Sequence, residues 1–84
     1  MTCGDAINAR LKDLSITKIK LAADLNTTKQ NIANKFARNN FSTDELIDIC
    51  NVLGLKLAFI DADSQDVKYI IDAKPTRKIK STIE

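Results

Sequence analysis

Apolar positions along this chain follow a helical period up to residue 54 and a period of two after it. Ile7, Leu11 and Leu14 recur at helical spacing, which predicts a first helix over residues 3 to 14, and Thr2 with Asp5 three residues on forms a capping box. Thr17 caps a second helix, with Ile16 and Leu21 as its hydrophobic staple and Leu21, Ala22 and Leu25 as a narrow buried stripe. Asn26 tolerates the left-handed backbone that ends a helix, and Thr28 caps the next one, predicted over 29 to 37, which buries Ile32 and Phe36. The strongest local signal is FSTDEL: Ser42 as cap, Glu45 as its reciprocal partner, Phe41 and Leu46 as the staple. A helix starting at Thr43 then buries Leu46, Ile49, Cys50 and Leu53 and stops at Gly54.

Beyond Gly54 the alternation predicts strands over 55–61 and 67–72, joined by the turn-rich ADSQD. Leu55, Leu57 and Phe59 share one face of the first strand, and Val67, Tyr69 and Ile71 one face of the second. The opposite face exposes Ala58, Ile60 and Ile70. A hairpin of this size is marginal alone, so these three residues are the expected dimer interface. The chain thus divides into a helical bundle over 1–54, a hairpin over 55–72 in the same domain, and a basic, Pro-interrupted flexible tail over 73–84 that could add phosphate attraction.

The third helix carries the candidate chemistry. Lys29, Gln30, Asn31, Asn34 and Lys35 face outward with no carboxylate among them. Such a face suits phosphates and base edges, and with the short helix before it the pair has the shape of a helix-turn-helix.

Charge supports that orientation. The net charge of +2 is unevenly placed: residues 1–40 hold seven Lys or Arg against three Asp (+4), 41–72 two Lys against seven acids (−5), and 73–84 four basic residues against Glu84 (+3). One face is thereby suited to a polyanion. With no histidine, no glycine-rich phosphate loop and no metal-type cysteine spacing, an enzyme is not expected, nor a cofactor or metal. Cys50 reads as a small core residue and Cys3 as an exposed thiol. No apolar run suffices for a membrane span and no signal-peptide core opens the chain, so the expected location is the cytoplasm, in association with the nucleoid.

The run from Arg10 to Leu55 resembles the Cro/repressor (XRE-type) helix-turn-helix domain of phage and bacterial regulators. The likeness is carried by Leu21-Ala22, the turn Leu25-Asn26-Thr27-Thr28, Lys29-Gln30-Asn31-Ile32 and the capped helix ending in VLGL. TTKQNIANKFARNNFSTDEL is also similar to small regulators of low-GC Gram-positive bacteria and their mobile elements, which add a short β segment. Asn26 stands where the family often has Gly, and Phe36-Ala37-Arg38 replaces its usual Glu-x-Gly, which leaves the path of residues 37–41 open. The resemblance implies a mainly α fold: a lambda-repressor-like bundle of four to five helices with a C-terminal β-hairpin. It implies a homodimer on double-stranded DNA, probing an inverted repeat through the major groove and acting in transcription, as a repressor. Lys29, Gln30 and Asn34 become base readers, with Asn31 a weaker one, and Lys18, Thr28, Arg10, Lys35, Arg38 and Asn40 the phosphate contacts. The alternative is a protein-interaction module, antitoxin-like or a phage accessory protein, whose apolar hairpin binds a different chain.

Overall fold

Four helices and a hairpin make up the computed structural model, which describes residues 1–74. Helices α1 (Cys3–Leu14), α2 (Lys18–Asp24), α3 (Lys29–Arg38) and α4 (Thr43–Leu53) precede strands β1 (Leu57–Ile60) and β2 (Val67–Ile71). Most of the basic tail expected over 73–84 lies outside the described residues.

Every helix opens and closes by the same chemistry. Thr2, Thr17, Thr28 and Ser42 hold extended backbone angles, and their hydroxyls accept from the N–H of Asp5, Lys20, Asn31 and Glu45. Each such cap satisfies an otherwise orphaned donor and contributes about 1 kcal/mol. The capping boxes at Thr2–Asp5 and Ser42–Glu45 are both complete. At the other ends, Ser15, Asn26, Asn39 and Gly54 turn left-handed, with φ of 56°, 62°, 51° and 68°. The next N–H then reaches back five residues: Ile16 to Leu11, Thr27 to Ala22, Asn40 to Lys35 and Leu55 to Cys50, at 2.8–3.1 Å. These closures take up carbonyls the helices leave unpaired and reverse the chain within a few residues. They also settle the path after α3, where Asn39 ends the helix one residue later than the pattern predicts.

Ile7, Leu11, Leu21, Ile49 and Leu53 form the central cluster, with Ile16, Leu25, Phe36, Phe41, Leu46 and Val52 packed around it. Leu21 and Leu53 are sealed from solvent, so truncating either to Ala costs about 2–5 kcal/mol. Ile47, not among the expected core residues, is buried, whereas Leu46, Cys50 and Phe36 are half-buried and Leu14 is exposed. Burial of the Cys50 thiol pushes its pKa up, so it stays protonated and unreactive.

The hairpin departs furthest from expectation. Its strands are shorter than 55–61 and 67–72, and pair antiparallel as Leu57 with Ile71, Ala58 with Ile70, Phe59 with Tyr69 and Ile60 with Val67. Between the last two pairs the register slips, because Lys68 is an extra residue in β2. Cross-strand partners share a face, so Val67 joins Ile60, Ala58 and Ile70 rather than Tyr69 and Ile71. The connecting loop is organised by Asp61, whose Oδ1 accepts from the N–H of Asp63 at 2.9 Å and of Ser64 at 3.0 Å. Only the base of the hairpin meets α4: Leu57, Ala58 and Ile71 are half-buried. Towards the tip, Phe59 and Tyr69 are 64% and 69% exposed, and Ile60 and Val67 58% each. Both faces of the hairpin overhang the bundle, and the Phe59–Tyr69 pair, expected to face inward, stands in solvent.

Candidate nucleic-acid interface

The helix pair α2–α3 is fixed from below by Leu21, Ala22 and Ile32, all buried, and at its elbow by left-handed Asn26. That leaves Lys29, Gln30, Asn31 and Asn34 exposed along the outer face of α3. Gln30 Nε2 donates to Asn34 Oδ1 at 3.3 Å, one turn on. Gln30 keeps its carbonyl oxygen and its second amide hydrogen, which is the pair that reads adenine N6 and N7. Asn31 is turned the other way, with Nδ2 donating to Thr27 Oγ1 at 3.1 Å. Its amide therefore braces the turn.

The residues expected at phosphates fall into three groups. Arg38 and Asn40 are exposed near the end of α3, and Lys18 Nζ lies 4.5 Å from the centre of the Phe36 ring. A ring face attracts the ammonium without cancelling its charge. Thr28 has its hydroxyl oxygen engaged by the N–H of Asn31 at 3.1 Å, leaving the hydroxyl hydrogen to donate. Lys35 and Arg10 are committed elsewhere. Lys35 Nζ sits 2.9 Å from Glu45 Oε2 on α4. Arg10 Nε donates to the Leu53 carbonyl at 3.0 Å, tying α1 to the end of α4 instead of standing beside α3.

Sequence reasoning missed three features here. Asn39, beyond closing α3, accepts the N–H of Gly4 on its Oδ1 at 2.9 Å, which anchors the foot of α3 to the start of α1. A Cβ at Gly4 would lie 3.1 Å from that oxygen, so the Asn39 side chain would have to give by a few tenths of an ångström. Between α3 and α4 runs a groove of about 280 Å³, floored by Leu25, Ile32, Phe41 and Ile49 and rimmed by Asn34, Lys35, Glu45 and Asp48. The third is the Lys35–Glu45 pair. Glu45 is held below the ordinary glutamate range by the Ser42 N–H first and by Lys35 after it. None of these features has a periodic signature, because each lies between elements rather than within one.

The expected readers thus share one exposed, carboxylate-free helix face, flanked by Lys18 and Arg38. Among the described residues no helix is long and apolar enough to cross a membrane, and no cluster of His, Cys, Asp and Glu could hold a metal ion. Comparison with characterised proteins and with solved structures returned no match. The helix-turn-helix domain of the bacteriophage CI repressor matches residues 5–67, from the first turn of α1 to the start of β2. That span is three quarters of the chain and contains the whole α2–α3 unit. A four-helix bundle with a C-terminal hairpin, a solvent-facing third helix of amides and amines, and this match together make the chain a DNA-binding transcriptional regulator that belongs to the bacteriophage CI repressor helix-turn-helix family.

Proposed function

We propose that the protein is a repressor that binds an inverted-repeat operator as a homodimer, with α3 in the major groove of each half-site. The reading rests on the outer face of α3: Lys29, Gln30 and Asn34 exposed together, with no acid on the helix and Gln30 still able to pair with adenine. Lys18, Thr28 and Arg38 hold the backbone, and Asn40 supplements them. The subgroup resemblance argues for a mobile-element setting in the cytoplasm of a Gram-positive host, with occlusion of a promoter as the mechanism. The hairpin provides the dimer contact, through Ala58, Ile60 and Ile70 and, beside them, Val67 on the same face. Selection of bound duplexes from a random library tests this directly. A two-fold-symmetric motif with half-sites about one helical turn apart is the expected product, and retention without enrichment would refute sequence-specific binding.

A second reading is favoured by one observation, the exposure of Phe59 and Tyr69 on the other face of the same hairpin. A self-association that covers one face leaves the other for a different chain, which is where an antitoxin-like or accessory partner would bind. Sedimentation of the purified protein separates the two: a dimer alone supports the first, a monomer that binds DNA poorly until a partner is added supports the second.

A further inference from the structure

Glu45 does two things with one carboxylate. Its Oε1 accepts the N–H of Ser42 at 2.7 Å, closing the cap of α4, and its Oε2 accepts from Lys35 Nζ at 2.9 Å, reaching across to α3. The cap does not need the negative charge, because glutamine serves in the same box. Nor does the ion pair add much stability, since both side chains are more than a third exposed and such pairs contribute about 0–1 kcal/mol. Its consequence lies in what it does to the charge beside α3. Lys29 and Arg38 have no carboxylate partner among the described residues, and Lys18 rests on an aromatic face that leaves its charge whole. Lys35 is the flanking cation whose charge is cancelled.

We infer that Glu45 is a positioning residue of the DNA interface, which withholds Lys35 from the phosphate backbone and so sets the strength and salt dependence of binding without taking part in base choice. The inference rests on α3 being the DNA-facing helix, as proposed above. A phosphate contact strengthens every sequence alike and is felt through counterion release. A carboxylate held beside Lys35 removes one such contact, and repels a phosphate that approaches it.

The test is a double-mutant cycle read as the slope of log affinity against log salt, on an operator and on a random duplex. E45Q keeps the cap, because its amide oxygen still accepts from Ser42, and frees Lys35. It should steepen the slope by about 1.8 on both duplexes, about 0.9 for each protomer of the dimer. Lowering salt from about 200 to about 50 mM should then strengthen E45Q by an extra factor of about 12 over the native protein, with the operator-to-random ratio unchanged. K35M should return the E45Q slope to the native value, since the double variant carries neither charge. A slope unchanged by E45Q, or one that K35M does not return to the native value, would overturn the inference, as would an altered operator-to-random ratio. E45A, which keeps the backbone N–H that Ser42 Oγ caps, carries the same comparison should E45Q fold poorly. The operator reading fails separately, if the native protein shows no preference between the two duplexes; native protein with no DNA affinity at all would overturn both.

Discussion

Gln30 stands on the open face of α3 with one amide hydrogen already given to Asn34. The bond fixes the orientation of the amide before DNA arrives, so less rotamer freedom is lost on binding. Gln30→Ala should cost about 1–3 kcal/mol and relax preference at a single base position, measured by equilibrium binding across a set of operator variants. Equal losses on all variants would show that Gln30 touches backbone instead. Gly54 is a different kind of residue, chosen for its backbone: at φ 68° a side chain is strained, and Gly54→Ala should destabilise the fold by about 1 kcal/mol in urea unfolding. The carboxylates of Asp5, Glu45 and Asp61 all titrate below their ordinary values, each chiefly because backbone N–H groups bond to the ionised form. A depressed folded pKa gives stability that is complete above the unfolded value and lost as pH falls through the folded one. The thermal midpoint should therefore hold near neutrality and decline as pH drops below about 4, and it should decline less in E45Q.

At the scale of elements, the helices were legible in the chain and the hairpin only in part. Thr2, Thr17, Thr28 and Ser42 announce four helix starts because capping is local: the hydroxyl and the N–H it satisfies lie three residues apart. Asn26 and Gly54 likewise announce two of the four stops. Ser15 and Asn39 were not recognisable as stops, since Ser seldom takes the left-handed conformation and Asn39 sits in a polar run with several choices. In the hairpin, alternation gives the correct faces near the base, but Lys68 carries no mark that it is the extra residue, so the pattern puts Val67 on the wrong face. The exposure of Phe59 and Tyr69 is hidden from the pattern for a related reason: alternation reports which residues share a face and says nothing about how far the supporting helix extends. The central cluster contains no hairpin residue. Ile60→Lys with Ile70→Lys should accordingly abolish self-association in sedimentation velocity while leaving the helical circular dichroism signal intact. Loss of that signal would mean the bundle depends on the second subunit to fold.

For the whole molecule, charge and shape divide the work. The amides and amines of α3 are visible in sequence as a helix face without acids, but which cations remain available is not, because Lys35 and Arg10 have partners on α4. Changing Lys18 or Arg38 to Ala should weaken operator and random DNA together and flatten the salt slope by about 0.9 for each protomer of the dimer. A loss confined to the operator would place that side chain on a base.

The bond between Gly4 and Asn39 spans 35 residues and joins the start of α1 to the foot of α3, the helix proposed to read DNA. The consequence is practical as well as mechanical. Any polypeptide fused ahead of Thr2 hangs from the first turn of α1, beside the left-handed residue that sets where α3 ends, and can tug on the reading helix without touching DNA. Purification handles at this end should therefore change affinity for every duplex, whereas residues 61–66, at the far tip of the hairpin, offer an insertion point from which the reading helix would not feel the load.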